Sequence, residues 1–351
     1  MTVGSVGNRR LMLLCEGSLD VHNAKTATGL MLYCPNEVVA VIDRNNAGKT
    51  VAQVLRMPRD IPVVSTVGEA IALGGKQLVI GVVNAGGFLV PEYRPHLVEA
   101  LKHGVDVING LHQMLEADPE LAPVAAASGA KIYDVRRVPD LPVGRNLART
   151  LPNHRTLAVG TDCNVGKMCT ALELTAEARR RGLDAVFAAT GQTGVMIAGS
   201  GYCIDRAISD FASGVAERLI MERAEHDYIF IEGQGSIDHA MFSGVTLSLL
   251  HGTAPQALVL CHVYGRRSRR HEDGSSLMPL RELIELYETI SRPVLPAKVV
   301  GVSLFSRGLD EAGARKELAR ITEETGLPAT DTVRFGAGNL LDAILEFFRC
   351  K

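Results

Sequence analysis

The sequence predicts an α/β protein with two doubly wound parallel-sheet domains, the second of them a phosphate-loop domain. Short β-branched runs alternate with longer helical patterns along the whole chain, which is typical of parallel sheets covered on both faces. A glycine-bounded loop ending in Gly-Lys follows a buried strand in the second half. The length of 351 residues, with 35 glycines, also exceeds that of one ordinary domain and fits two.

The first half of the chain predicts a Rossmann-like domain over residues 1–140. Continuous apolar runs indicate buried strands, and segments with helical spacing between them indicate the connecting helices. The expected strands are 11–15, 38–43, 61–65, 77–83, 105–108 and 131–135. The expected helices are 25–34, 50–57, 68–72, 93–103 and 112–129.

A linker and a second sheet follow. Residues 136–155 contain Pro139, Pro142 and Pro152, and proline forbids regular backbone hydrogen bonding. The phosphate-loop domain is therefore expected over residues 141–351. Its strands are expected at 156–160, 185–189, 228–232, 257–263 and 299–305, and its helices at 167–181, 204–224, 245–250, 279–289, 311–324 and 340–348.

Charge and hydropathy exclude several classes of protein. The chain has 37 basic and 39 acidic residues, a formal net charge of −2, so no domain-wide basic field favours nucleic acid. The longest apolar runs are far shorter than the roughly 20 residues that span a bilayer. The N-terminal apolar run 11–15 is also too short for a signal-peptide core of roughly 7 residues or more. We expect neither membrane insertion nor export.

The seven cysteines form no C-x-x-C pair and are odd in number, which argues against a disulfide framework or a zinc site. A reducing cytoplasm is the expected compartment. A small molecule is the expected partner, and a homo-oligomer is expected, although no residue pattern specifies its order.

The most specific motif is the loop between the strand 156–160 and the helix that opens at Lys167. Backbone N–H groups at such a turn, and the positive end of the following helix, can hold phosphate oxygens with the lysine as a point charge. Five residues separate Gly160 from Gly166, a spacing that resembles the loop of dethiobiotin synthetase. The predicted cofactor-binding residues are Gly160, Thr161, Asp162, Cys163, Asn164, Val165, Gly166, Lys167 and Met168.

Met168 stands where a nucleotide hydrolase places a Ser or Thr hydroxyl on Mg²⁺. A thioether does not replace that hard oxygen ligand, so the loop is expected to bind phosphate without a metal. Thr170, further round the helix, is a possible phosphate contact outside the metal position. No metal site is predicted.

Three weaker motifs lie in the first half. The spelling Gly48-Lys49-Thr50 lacks an upstream glycine and is more typical of a solvated turn. Asp43 ends the second strand, where a Rossmann domain often binds a ribose hydroxyl, but the turn at Gly17 lacks the Gly-x-Gly-x-x-Gly pattern, so NAD is weakly supported. The segment 84–88 either lines a cleft or is only a tight turn.

Acid and base candidates follow the strand 228–232. Glu232 emerges at the carboxyl edge of the sheet, where doubly wound sheets bind ligands. It is the first candidate for a general base or an ammonium ligand, with Asp238 and His239 as nearby competitors. A lone histidine in a loop is more often structural than catalytic.

Two further edge loops, 190–194 and 264–271, are candidate substrate sites. The first offers backbone and side-chain donors from Gln192 and Thr193. The second is a basic cluster around Arg266 and Arg267, whose guanidinium groups match carboxylate and phosphate geometry, although a solvated loop balanced by neighbouring carboxylates explains it equally well. Arg206 is a further, individually weak substrate candidate.

The combination of motifs resembles a bacterial and archaeal family that includes the D-glutamate N-acetyltransferases. The resemblance covers nearly the whole chain and rests on the loop 160–168, on Thr190-Gly-Gln-Thr-Gly194 and Ile231-Glu-Gly-Gln-Gly-Ser236, and on upstream Gly110-Leu-His112 and Asp134-Val-Arg136. It implies an N-terminal Rossmann-like domain, a C-terminal phosphate-loop domain, and acetyl transfer from acetyl-CoA to D-glutamate in a catabolic pathway. The phosphate loop would then hold the phosphates of coenzyme A.

Alternatives stay open at this stage. The chemistry needs a base, oxyanion donors and cations for the substrate carboxylates, but the sequence does not assign these roles. Direct transfer is preferred, while an acetyl-enzyme on Cys163 or Cys169 is the other route. The competing functions are an ATP- and Mg²⁺-dependent carboxylate ligase or kinase that resembles dethiobiotin synthetase, and a nucleotide sensor without turnover. Glu232→Gln separates the sensor, because only an enzyme loses turnover.

Overall fold

A computed structural model describes residues 10–20, 23–82, 86–138, 143–270 and 275–350. It confirms the α/β fold class, with two six-stranded sheets whose paired strands all run parallel. The chain divides into two compact units. The first contains residues up to Val138 together with Gln192–Arg206, and the second contains Pro139–Gly191 and the chain from Ala207 onward.

The first unit has the strand order 3-2-1-4-5-6, which is the doubly wound Rossmann order. Its strands are β1 (Leu11–Leu14), β2 (Val38–Ile42), β3 (Val63–Val64), β4 (Gln77–Ile80), β5 (Asp106–Asn109) and β6 (Ile132–Asp134). Its helices are α1 (Lys25–Tyr33), α2 (Val51–Leu55), α3 (Val67–Ala72), α4 (Arg94–Lys102), α5 (Leu121–Ser128) and, from the inserted segment, α7 (Gln192–Ala198).

The second unit has the strand order 12-11-10-7-9-8, so the strand that leads into the phosphate loop lies inside the sheet. Its strands are β7 (His154–Gly160), β8 (Ala185–Ala188), β9 (Tyr228–Ile231), β10 (Ala257–Val263), β11 (Lys298–Phe305) and β12 (Ala329–Thr330). Its helices are α6 (Lys167–Arg180), α8 (Ser209–Met221), α9 (Ser243–Thr253), α10 (Leu280–Ser291), α11 (Glu311–Thr325) and α12 (Gly338–Arg349).

The central strands form the core of each unit. All four residues of β1 are buried, as are six of the seven residues of β7, which is the burial expected of a parallel sheet covered on both faces. This double coverage is why the strands read in the sequence as continuous apolar runs. It also leaves the loops after the strands as the places for polar chemistry.

The predicted helix 112–129 is only α5 (Leu121–Ser128) in the structure. Asp118 lies in the loop three residues before α5 begins, and its Oδ1 accepts hydrogen bonds from the backbone N–H groups of Glu120 and Leu121. Pro119 follows Asp118, and the residue before a proline is disfavoured in the helical region. The helical pattern upstream is therefore a loop.

The segment after β8 differs from its prediction. The expected loop 190–194 becomes the start of α7 at Gln192, and the expected helix 204–224 is a 3₁₀ turn (Ile204–Arg206) followed by α8. Several expectations lie outside the described residues: the end of the strand 77–83, part of the turn 84–88, part of the linker, and residue 271 of the basic loop 264–271. No helix of the described chain is long and apolar enough to cross a membrane.

Candidate functional site

The phosphate loop runs from the end of β7 at Gly160 to the start of α6 at Lys167. A Cβ atom added at Gly160 would lie 2.7 Å from Val165 Cγ2 and 3.0 Å from Lys167 Nζ, so only glycine permits this close turn. The first N–H groups of an α-helix have no partner within the helix, and α6 begins directly after the loop, at Lys167. The loop therefore has the strand, turn and helix that phosphate binding requires.

Lys167 is buried against the loop it serves. Its Nζ donates a 2.7 Å hydrogen bond to the carbonyl oxygen of Asp162, and its burial lowers the pKa of the ammonium group. A buried ammonium beside main-chain N–H groups is a strong electrostatic site for an anion, since burial reduces the screening of its charge.

Asp162 lies inside the phosphate loop and is fully buried. Its Oδ1 accepts the N–H of Cys163 at 2.6 Å, and its Oδ2 accepts the Arg266 guanidinium and the N–H of Arg270, each at 2.9 Å. Arg266 also donates to the carbonyl oxygen of Cys163 at 2.7 Å. The basic segment after β10 is thereby joined to the phosphate loop, and Arg266 compensates the Asp162 charge.

Met168 is half-buried in the first turn of α6 and brings no hydroxyl to the loop. Thr170 does not supply one either. It is buried, with its Oγ1 at 2.8 Å from Ser303 Oγ on β11 and within reach of the Cys261 thiol. The Thr170 hydroxyl therefore forms its hydrogen bond with the sheet, and not with the phosphate loop where a phosphate contact was considered.

Glu232 follows β9, the neighbour of β7, and its side chain is buried. Its Oε2 accepts the backbone N–H groups of Thr190 at 2.9 Å and Gly191 at 3.0 Å. The Thr190 hydroxyl donates to the Glu232 carbonyl oxygen at 2.8 Å. Glu232 thus holds the turn after β8, and its predicted role as a base or ammonium ligand stays a prediction.

Asp238 and His239 lie in the loop after β9, close to the segment after β10. The Asp238 carboxylate accepts a hydrogen bond from the Ser236 hydroxyl at 2.5 Å and one from the Arg269 guanidinium at 2.6 Å. His239 is fully buried; its Nδ1 accepts the N–H of Met241 at 3.2 Å, and its Nε2 contacts the carbonyl oxygen of Arg270 at 2.9 Å. These contacts give both side chains a part in holding the loops, and their catalytic roles remain predictions.

Tyr287 is a site residue that the sequence analysis did not find. It is fully buried on α10, and burial raises its pKa to about 12. Its hydroxyl donates to the Gly160 carbonyl oxygen at 2.8 Å and accepts the N–H of Ile237 at 3.1 Å. Tyr287 therefore links the start of the phosphate loop to the loop after β9, and no local motif marks it.

The other predicted substrate residues fall into both units. Gln192, Thr193 and Arg206 belong to the first unit, whereas Arg266 and Arg267 belong to the second. The Thr193 hydroxyl is paired with that of Thr26 on α1 at 3.0 Å. Arg206 and Arg267 are exposed.

Two carboxylates, Asp43 and Glu16, accept hydrogen bonds from the turns that follow β1 and β2. Asp43 accepts the N–H of Gly17 at 2.9 Å and the Asn46 amide at 2.7 Å, and it is buried. Glu16 accepts the N–H and the guanidinium of Arg44. Asp43 thus holds backbone and a side chain at the place where a ribose hydroxyl would bind, which gives NAD no structural support.

Family models match both halves of the chain. A domain of unknown function described as the DUF1611 P-loop domain matches residues 142–341. The companion Rossmann-like domain matches residues 44–138. These descriptions agree with the two sheets described above.

Curated and solved relatives extend over nearly the whole chain. A protein from Tritonibacter scottomollicae named D-glutamate N-acetyltransferase is 40% identical over 95% of this chain and 97% of its own. A Pseudoalteromonas protein of the same name is 36% identical over 78% of this chain and 82% of its own. The crystal structure of a DUF1611 family protein from Anabaena variabilis is 40% identical, with a TM-score of 0.93 over 97% of this chain and 100% of its own. The chain belongs to the DUF1611 family.

Proposed function

We propose that this chain is an amino-acid N-acetyltransferase that moves the acetyl group of acetyl-CoA to the amino group of D-glutamate, as a step of D-amino-acid catabolism. Two curated relatives carry that enzyme name, and the more similar one matches 95% of the chain. The main structural support is the phosphate loop, which has a buried lysine but has Met168 in the position of the metal-binding hydroxyl.

The loop fits the phosphates of coenzyme A. Coenzyme A carries a pyrophosphate and a 3′-phosphate, and these groups need donors and cations rather than a catalytic Mg²⁺. The backbone of residues 160–168 and the Lys167 ammonium would hold them, as a helix N-terminus and an adjacent lysine do for other phosphate esters. The ion pair with Arg266 compensates the negative charge of Asp162 and so reduces its repulsion of the phosphates.

The remaining residues are assigned as proposals. Glu232, Asp238 and His239 are the acid–base candidates of the second unit, and the direct transfer route is preferred over an acetyl-cysteine. Gln192, Thr193, Arg206, Arg266 and Arg267 are proposed to serve the substrate. Arg266 would do so by shaping the loop, since its guanidinium is occupied by Asp162 and Cys163.

The test is thiol release from acetyl-CoA by the purified protein. D-glutamate, L-glutamate and D-aspartate are compared as acceptors, each with Mg²⁺ and with EDTA. The proposal expects release that requires D-glutamate and survives EDTA. Absence of release with every acceptor, together with Mg²⁺-dependent consumption of ATP when a carboxylate substrate is added, would move the chain to the ligase class.

A further inference from the structure

One side of the carboxyl edge of the second sheet carries exposed apolar side chains. β10, β11 and β12 follow one another on one side of β7, the strand that enters the phosphate loop. An exposed large apolar residue lies at or shortly after the end of each of these three strands, namely Tyr264, Phe305 and Val333. A single exposed apolar residue is ordinary on a protein surface. Three of them along the ligand-binding edge of one sheet indicate a surface for an apolar ligand group.

Phe305 lies on the face of the sheet that α6 covers. Ser303, two residues earlier on β11, forms a 2.8 Å hydrogen bond with Thr170 of α6. Alternate residues of a strand point to the same face, so Phe305 points to the same face as Ser303. The neighbouring strand agrees, because Cys261 pairs with Ser303 and its thiol lies 3.5 Å from Thr170 Oγ1. Val263 pairs with Phe305 and continues this face on β10.

The first turn of α6 lies beside the Phe305 ring. α6 follows the carboxyl end of β7 and begins at Lys167, which is three residues before Thr170 and so about 4.5 Å nearer the carboxyl edge. Phe305 lies about 6.6 Å beyond Ser303 in the same direction. Residues three apart share one side of a helix, so Lys167 is on the side of α6 that faces β11. The ring is therefore next to the helix start that serves the phosphate loop.

Space is open next to this helix start. Gly166 immediately precedes α6 and has φ +95°, and a Cβ there would meet no atom from elsewhere in the described chain within 4 Å. The Phe305 residue is 38% exposed, so part of its ring is free to meet a ligand. A phosphate ester on the loop therefore has room for a flat group against this ring.

We propose that the adenine ring of coenzyme A stacks on Phe305 while the phosphates lie on the loop 160–168. The inference rests on the proposed function and adds a binding residue from the second unit. Adenine is joined to the phosphates of coenzyme A through one ribose, so it is the flat group nearest to a loop that holds those phosphates. An aromatic side chain offers a π face to such a base. Phe305 thereby recognises the adenosine end of the donor and takes no part in the acetyl transfer itself.

The experiment measures binding by calorimetric titration of the full chain with coenzyme A and with 4′-phosphopantetheine, which keeps the thiol arm and one phosphate but lacks adenosine. Phe305→Ala removes the ring, and Phe305→Tyr keeps it. Ile208→Ala, at another exposed apolar position of the second unit, is the matched control. We expect the Kd for coenzyme A to rise about 5-fold to 150-fold in Phe305→Ala, the usual effect of losing one base–aromatic stack. The Kd for 4′-phosphopantetheine should not change, and Phe305→Tyr and the control should bind both compounds as the wild type does.

Proton NMR separates stacking from a structural role of the ring. The adenine H2 and H8 resonances of coenzyme A should move upfield on binding to the wild type, because the base lies over an aromatic ring. Phe305→Leu keeps most of the apolar bulk and should abolish this shift at saturating coenzyme A, whereas Phe305→Tyr should preserve it. This comparison decides the question even if Phe305→Ala has a lowered melting temperature.

Three results overturn the inference: a wild type that does not bind coenzyme A, wild-type affinity for coenzyme A in Phe305→Ala, and an equal loss of affinity for coenzyme A and 4′-phosphopantetheine. The last result would show that Phe305 supports the loop instead of the base. Acetyl transfer by the wild type tests the proposed function separately. Binding of coenzyme A that depends on Phe305, without any transfer, refutes that function and supports the adenine site. Transfer together with unchanged binding in Phe305→Ala refutes only the adenine site.

Discussion

The Arg266 guanidinium lies 2.9 Å from the Asp162 carboxylate, so the segment after β10 is joined to the phosphate loop by an ion pair. Asp162 is fully buried, whereas 17% of the Arg266 side chain is exposed. The loop therefore contains an acidic residue whose charge is compensated within the unit. This relationship explains how a phosphate loop can carry an aspartate at its centre.

Asp162→Asn tests that ion pair. The amide keeps the size of the side chain but loses the charge, and it accepts fewer of the hydrogen bonds from Arg266, Arg270 and Cys163. Removal of one partner from a buried pair costs about 3 kcal/mol or more, and we expect about 2 kcal/mol because Arg266 is partly exposed. Urea denaturation measures the loss. Arg267→Gln, an exposed position on the same segment, should change the free energy of unfolding by less than about 0.5 kcal/mol.

Lys167→Met should weaken acetyl-CoA binding through the phosphates. The methionine keeps most of the buried apolar stem but removes the ammonium group. A charge-assisted hydrogen bond contributes about 1.5 to 3 kcal/mol, so the KM for acetyl-CoA should rise about 10-fold to 100-fold. The measurement compares acetyl-CoA with S-acetylpantetheine, which lacks phosphates and should show no such rise. An equal loss with both donors contradicts the role of Lys167.

Tyr287→Phe should destabilise the second unit by about 1 to 3 kcal/mol. The change removes the hydroxyl, and with it the hydrogen bonds to the buried N–H of Ile237 and to the Gly160 carbonyl oxygen. Tyr264→Phe is the matched control, since Tyr264 is 40% exposed. Chemical denaturation of both variants measures the difference, and equal stability of the two would remove Tyr287 from the support of the phosphate loop.

Asp118 should make the protein acid-sensitive. The Arg94 guanidinium, followed by the backbone N–H groups of Leu121 and Glu120, lowers the pKa of Asp118 from 3.8 to about 2. Because the folded pKa is depressed, its contribution to stability is present above about pH 4 and is lost as the pH falls toward 2. Asp118→Asn should cost about 1 to 2 kcal/mol at pH 7, and the difference from wild type should shrink in acid. Glu120→Gln, at an exposed partner of the same arginine, should have little effect at either pH.

Periodicity and loop spelling predicted the two sheets and the phosphate loop, because buried strands and a Gly-Lys helix start are local features of the sequence. Local patterns did not predict that Asp118 binds the backbone at the start of α5, nor that α7 belongs to the first unit. Both depend on side-chain hydrogen bonds or on contacts between distant parts of the chain. The Thr193 hydroxyl, for example, is paired with Thr26, which lies 167 positions away.

The candidate site shows the same division. Gly160 to Met168 could be identified from spacing alone, whereas Tyr287 reaches the loop from a helix 127 positions further along the chain. His112 and Arg136 belong to motifs that the sequence shows, whereas Asp205, which forms an ion pair with Arg136 and lies 3.7 Å from His112 Nε2, carries no local signal. The sequence also did not show that the Thr170 hydroxyl, named as a possible phosphate contact, forms a hydrogen bond with Ser303 on β11.

Acetyl transfer without a metal can be measured by the formation of product from isotopically labelled acetyl-CoA and D-glutamate in the presence of EDTA. Mass spectrometry of the amino acid distinguishes transfer from simple hydrolysis of the thioester. We expect labelled N-acetyl-D-glutamate in equal yield with EDTA and with Mg²⁺. Unlabelled D-glutamate in both conditions, with Mg²⁺-dependent consumption of ATP in a parallel reaction, would contradict it.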